Sequence, residues 1–261
     1  MRVLVTRPAA QAAGWVQALR TAGLAAESWP LIEVVPAGHD AVCSAWGCWP
    51  LYDAAMFVSA NAVDYFFAQR PPGLGPPHGA RPRCWVTGGG SRDALLRHGV
   101  PQASIDLPAD DAAQWDSEAL WRVVAPSVTA GFRLLIVRGT QAEDATASQA
   151  GVGRDWFAQQ VQDAAGVVDF VVSYARRAPQ LSQDNVAHLR QAAVDGSVWL
   201  FTSSEAVANL QTLMADTPWT QARCVVTHPR IAEAARAAGF GVVCVSRPGL
   251  EALLASIKSL A

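Results

Sequence analysis

Phe57-Val58-Ser59-Ala60-Asn61-Ala62-Val63 and Phe201-Thr202-Ser203-Ser204-Glu205-Ala206-Val207 follow one pattern in two places. Each is an apolar run that ends in small hydroxyl or amide residues and then opens a helical repeat. That is how a buried strand leads into an N-capped helix. The similarity continues outward. Cys84-Trp85-Val86-Thr87, with Ala94 and Gly99 downstream, matches Cys224-Val225-Val226-Thr227, with Ala234 and Gly239. Leu134-Leu135-Ile136-Val137-Arg138-Gly139 echoes Val3-Leu4-Val5-Thr6-Arg7-Pro8. Self-similarity of this length indicates two copies of one supersecondary unit.

Short apolar runs mark strands at Val3–Thr6, Ala55–Ser59, Arg83–Thr87, Leu134–Val137, Val167–Tyr174, Ser197–Thr202, Arg223–Thr227 and Val242–Ser246. Helical patterns follow most of them. Ala62, Val63, Phe66 and Phe67 share a face, as do Ala206, Val207, Leu210 and Met214, and Ile231, Ala234, Ala235 and Ala238. Alternation of this kind predicts an α/β fold with buried parallel strands. The copy containing Phe201 lacks a strand just before it like the one at Leu134, whereas the chain's first strand lacks a partner. A discontinuous domain, 1–36 plus 175–261, with 37–174 inserted as a second domain, resolves both. Two extended crossings would join the halves, near Pro30–Pro36 and Val171–Pro179. Pro71–Pro82 reads as a surface loop, and Gln141–Gly153 as a polar loop of small residues.

Composition removes several function classes. The 261 residues carry 20 basic and 22 acidic side chains, and this near-balance gives no footprint for nucleic acid or an acidic membrane. Lys258 is the one lysine, near the C-terminal end, so neither a P-loop nor an internal Schiff-base lysine is available. The five cysteines (43, 48, 84, 224 and 244) form no C-x-x-C pair and read as reduced, structural residues. The histidines at 39, 78, 98, 188 and 228 make no ligand motif, and no G-x-S-x-G elbow exists. Gly88-Gly89-Gly90 lacks dinucleotide spacing and reads as a tight turn before a helix. Without a signal-like N-terminus or an apolar run of about 18 residues, a cytoplasmic protein is expected.

What remains is a set of strand-to-helix junctions: Thr6-Arg7-Pro8, Ser59-Ala60-Asn61, Thr87-Gly88, Arg138-Gly139, Thr202-Ser203-Ser204 and Thr227-His228-Pro229-Arg230. Parallel sheets bind ligands at their carboxyl ends, where helix N-termini present free N–H groups to anions. Ordinary capping explains a Ser or Asn at any one junction. Recurrence in both copies favours a cradle for carboxylates. Tyr174, on the second crossing, either packs its ring at a domain edge or presents its hydroxyl to a ligand.

These motifs, with Val172-Ser173-Tyr174-Ala175-Arg176-Arg177, stand in an order that resembles the uroporphyrinogen-III synthase family over nearly the whole chain. The resemblance implies two similar doubly wound parallel-sheet domains, a two-stranded extended connector and a ligand cleft between the domains. It implies a linear tetrapyrrole substrate, hydroxymethylbilane, cyclised with loss of water and inversion of the last ring. Tyr174 is then the candidate catalytic residue. Thr6, Arg7, Ser59, Ala60, Asn61, Arg138, Gly139, Thr202, Ser203, Ser204, Thr227 and His228 are the candidates for substrate binding. No metal or organic cofactor is implied, a monomer is expected, and hydroxymethylbilane synthase is the expected donor of the substrate. Where the family shows Val-Gly-x-x-Thr-Ala, this chain has Thr87-Gly88-Gly89-Gly90-Ser91. The competing class is a cytoplasmic two-lobed sensor that binds tetrapyrroles or other carboxylates without catalysis.

Overall fold

The computed structural model describes residues 1–73, 82–109, 114–141, 155–247 and 249–260. The loops read at 71–82 and 141–153 lie largely outside the described residues. The chain divides into two compact units, residues 1–34 with 177–261, and residues 35–176.

The first unit holds β1 (Arg2–Val5), α1 (Ala9–Thr21), β2 (Ala25–Ser28), α7 (Gln183–Ala192), β9 (Val198–Phe201), α8 (Ser204–Leu213), β10 (Arg223–Val226), α9 (Pro229–Ala237), β11 (Val242–Val245) and α10 (Leu250–Lys258). Its sheet runs β2-β1-β9-β10-β11 with every pairing parallel. Alternate strand residues face opposite layers, so each helix has a strand set to cover. Leu4, Trp199, Phe201, Cys224 and Val226 pack with α7, α8 and α9. Val3, Val5, Val198, Leu200 and Val225 pack with α1 and α10. This unit is doubly wound.

The second unit holds α2 (His39–Gly47), β4 (Ala54–Phe57), α3 (Ala60–Ala68), β5 (Arg83–Val86), α4 (Gly89–Arg97), β6 (Ile105–Asp106), α5 (Ser117–Val124), β7 (Arg133–Gln141) and α6 (Asp155–Asp163). Its sheet also takes in β3 (Glu33–Pro36) and β8 (Val167–Arg177), in the order β3-β8-β7-β4-β5-β6. The pairings from β8 to β6 are parallel. Set β4, β5, β6, β7 and β8 against β9, β10, β11, β1 and β2, and the two sheets have one strand order. The chain enters that order at different points, as the repeat predicts. Ala54, Met56, Trp85, Leu134 and Ile136 cover α5 and α6. On the opposite layer the rings of Phe57, Phe66, Phe67, Trp46 and Trp49 form one aromatic cluster. The two places where the chain passes between units lie in the neighbouring strands β3 and β8.

Two strands escape the hydrophobic pattern. β2, Ala25-Ala26-Glu27-Ser28, is an edge strand with Ala26 as its one buried side chain, and β6 has two residues. Neither offers the β-branched, alternating signal that marks a strand. On α9, Ala232 is fully buried where the periodicity placed Ala234, which is half-buried.

Candidate functional site

A doubly wound sheet opens a crevice where successive connections leave in opposite directions, beyond the carboxyl ends of the strands there. In the first unit that point lies between β1 and β9, in the second between β7 and β4. The residues just past the ends of β1, β9 and β4 are Thr6-Arg7, Thr202-Ser203 and Val58-Ser59; Arg138-Gly139, expected at a strand-to-helix junction, lie instead within β7, beyond its pairing with β4. Ala60, Asn61 and Ser204 follow within one helical turn. Thr227 and His228 come after β10 instead, one strand away.

The second unit's crevice is built around a close contact. β7 overshoots β4, and its last residues are accompanied by β8 alone. Arg138 pairs with Val172 but Gly139 pairs with Tyr174, so Ser173 is an extra residue, a β-bulge. The bulge turns Tyr174 onto the backbone of Gly139. A Cβ built on Gly139 would lie within 2.6 Å of Cζ, Cε1 and Cε2 of the ring. Only glycine fits beneath that ring. Ser173 is fully buried and anchors the bulge. Its hydroxyl donates to Ala62 C=O (3.2 Å), and its own carbonyl accepts from Ala37 N–H (3.1 Å) and Gln69 Nε2 (2.9 Å).

Held in this way, Tyr174 is 5% exposed, with its ring centroid 5.9 Å from that of Tyr65 and its hydroxyl 3.1 Å from Ser59 Oγ. Ser59 is also the N-cap of α3, where its Oγ accepts from Ala62 N–H at 3.1 Å. Ala60 and Asn61 form the first turn of that helix and are half-buried.

Arg138 points to the opposite face of the sheet, over the Phe170 ring (4.8 Å to the centroid). It is 6% exposed, its Nη1 is buried without a hydrogen-bond partner, and no carboxylate pairs with it among the described residues. Its counterpart in the other copy is Arg7, which lies over Trp15 (5.0 Å), also with a buried, unpartnered Nε. Burial lowers the Arg7 pKa, and Nη2 donates to Gln11 Oε1 at 3.2 Å. Arg138 is an unpaired buried cation, costly unless an anion or ligand meets it; Arg7, half-buried and bonded to Gln11, carries less of that cost. The two arginines stand in equivalent places of the duplication, while their rings come from different elements, Trp15 from α1 and Phe170 from β8. Phe170 and Trp15 carry no pattern that would single them out in the sequence; only the geometry shows them as platforms.

The remaining candidates divide. Thr6 is 1% exposed and its hydroxyl donates to Leu200 C=O at 2.8 Å, so that side chain is committed to joining β1 and β9. Ser203 caps α8, accepting from Glu205 N–H at 3.2 Å, and Thr202 and Ser204 beside it are half-buried. His228 caps α9 through Nδ1, which accepts from Arg230 N–H at 3.1 Å, and is exposed, while Thr227 is half-buried. Gly88 precedes α4 with no side-chain cap. Burial pushes the Cys84 and Cys224 thiols up to about 12, which keeps them protonated and unreactive. No cluster of three or more potential metal ligands occurs among the described residues, and no helix there is long and apolar enough to cross a membrane.

The class so defined is a duplicated, doubly wound α/β protein with polar strand ends in both copies. A family model described as uroporphyrinogen-III synthase HemD matches residues 13–255, and the chain belongs to that family. Among solved structures it is similar to the synthetase from Helicobacter pylori 26695 (14% identity, TM-score 0.61, all of both chains covered). It is also similar to a mutant synthase from the extreme thermophile Thermus thermophilus (12% identity, TM-score 0.55, 100% of this chain and 98% of that one). At these identities the likeness is one of fold. No curated protein matches the chain.

Gly139→Ala should lower stability by about 1–3 kcal/mol, since a methyl group must displace the tyrosine ring. Urea denaturation of Gly139→Ala in wild-type and Tyr174→Ala backgrounds measures the coupling. The penalty should largely vanish once the ring is gone; an equal penalty in both backgrounds would show that the contact is not its cause. Arg138→Met should raise the melting temperature of the ligand-free protein, because an unpaired buried charge is replaced by an apolar chain of similar length. Roughly 1 kcal/mol, or about 2–4 °C, is expected. A clear fall would show that the guanidinium supports the fold.

Proposed function

We propose that this chain converts hydroxymethylbilane into uroporphyrinogen III, in hydro-lyase chemistry, at the strand ends described above. The Tyr174 hydroxyl carries the reading: it is a buried acid, held in position by Gly139 and the Ser173 bulge, at a switch-point crevice. A hydroxyl used only for packing needs no such enforced contact.

The substrate carries eight carboxylates and a terminal hydroxymethyl group. Uncatalysed closure joins the last ring at its nearer carbon and yields the type I isomer. Reaching the type III isomer requires holding a flexible chain so that the other carbon of that ring attacks, through a spiro intermediate. This is catalysis by positioning. The first turns of α3 and α8, at Ala60, Asn61 and Ser204, supply backbone N–H donors for carboxylates. His228, which caps α9 by accepting at Nδ1, offers its other ring nitrogen at the start of that helix, with Thr227 beside it. Thr202 and Ser203 line the first unit's crevice, and Thr6 keeps its two strands together. Arg7 and Arg138 supply the charge that the backbone lacks. Linear tetrapyrrole handed on from hydroxymethylbilane synthase would meet these groups directly.

Tyr174 assists ionisation. It donates its proton to the departing hydroxyl, which leaves as water, and the azafulvene-like cation is delocalised over the pyrrole. Attack and rearrangement close the macrocycle. The hydrogen lost from carbon at the end restores the phenol, so protons balance over the cycle. This role needs no organic cofactor or metal.

Freshly generated hydroxymethylbilane should be consumed by the protein far faster than in buffer. Tyr174→Phe keeps the ring and removes the acid, so kcat should fall about 100-fold, with a melting temperature close to wild type. Full turnover by Tyr174→Phe would leave Tyr174 as a packing residue. Wild-type protein that binds the tetrapyrrole without accelerating its loss would favour the sensor.

A further inference from the structure

We infer that Ser59 is a positioning residue for Tyr174, setting the direction in which the phenol gives its proton, and does not itself hold substrate. The inference rests on the proposed role of Tyr174.

A serine hydroxyl has one proton and two acceptor sites. In Ser59 one acceptor site is taken by the Ala62 N–H, at 3.1 Å, and the partner in reach of the proton is Tyr174 Oη, also at 3.1 Å. With Ser59 as donor, the phenol oxygen receives a hydrogen bond and its own proton is left to point away, toward a ligand. The reverse arrangement would spend the phenol's proton on Ser59 and leave none for a leaving hydroxyl.

Charge favours the first arrangement as the reaction proceeds. A phenol that gives up its proton becomes an anion, and Ser59 sits at the N-terminus of α3, a nine-residue helix whose free N–H groups favour negative charge. The bond from Ala62 N–H polarises the Ser59 hydroxyl and makes it a better donor, since hydrogen bonds in series strengthen one another. Ser59 thereby passes the helix field to the oxygen that needs it.

The duplication supplies an internal control. Ser203 occupies the equivalent position, caps α8 by accepting from Glu205 N–H, and has no tyrosine beside it among the described residues. In that copy β2 ends at Ser28, the counterpart of Phe170, and the residues that follow it, Trp29-Pro30-Leu31-Ile32, include no tyrosine. Capping alone accounts for Ser203; it does not account for the bond from Ser59 to Tyr174. The fold does not depend on that bond, because Tyr174 is already fixed by Gly139 and Ser173.

The test separates capping, positioning and substrate contact. Ser59→Asp retains an N-cap acceptor but removes the hydroxyl donor; Ser59→Thr retains both; Ser59→Ala loses both. If Ser59 acts through Tyr174, Ser59→Ala and Ser59→Asp lower kcat roughly tenfold, with KM for hydroxymethylbilane within about twofold of wild type. Ser59→Thr stays near wild type, and only Ser59→Ala loses appreciable thermal stability. In the Tyr174→Phe background, Ser59→Ala should lower kcat no further. A raised KM at unchanged kcat would make Ser59 a carboxylate ligand and overturn the inference. So would an equal kcat loss with and without the Tyr174 hydroxyl. Each of those outcomes leaves the role of Tyr174 standing. That role fails on its own if Tyr174→Phe turns over normally.

Discussion

The contact between the Tyr174 ring and the Gly139 backbone organises the second unit's crevice. A ring stacked directly on a main chain needs a glycine beneath it, an extra residue in its own strand to turn it inward, and anchors for that extra residue. All three are present in Gly139, the Ser173 bulge, and the bonds from Ser173 to Ala62, Ala37 and Gln69. The outcome is a phenol whose oxygen meets the cap of α3 and has little freedom to leave it. Rotational freedom lost in folding need not be lost again at the transition state.

Duplication separates what the fold needs from what the chemistry needs. Both copies carry a serine cap after the central strand and an arginine over an aromatic ring, Arg7 just past β1 and Arg138 within β7. Only the second copy carries the tyrosine. Of the shared features the arginines suit a ligand rich in carboxylates, Arg138 most clearly, because an uncompensated buried cation lowers the stability of the free protein. The feature found in one copy suits a step that occurs once per turnover.

Fold class was legible because it depends on short, strongly apolar strands: Val3-Leu4-Val5, Ala54 to Phe57, Leu134 to Val137 and Val198 to Phe201 are all buried. Family membership was legible because the order of weak motifs constrains more than any one of them. Edge strands were not, since Ala25–Ser28 has little to bury and so no pattern to show. Within the site, the Arg138-Gly139 pair of β7 was visible as a motif. The reason for its glycine was not, because the demand comes from a ring far along the chain, at Tyr174. Thr6 shows the converse. It has the residue type of a ligand contact, yet it sits in a buried position and donates to Leu200. Residue type indicates available chemistry, and only the partners a group finds in the fold show whether that chemistry is already spent.

The measurement closest to the central claim is the isomer composition of the porphyrin formed when wild-type protein acts on freshly made hydroxymethylbilane and the product is oxidised and resolved by chromatography. A site that holds the chain for attack by the ring's less accessible carbon predicts predominantly the type III isomer. Type I alone, in the proportion found without protein, would contradict it.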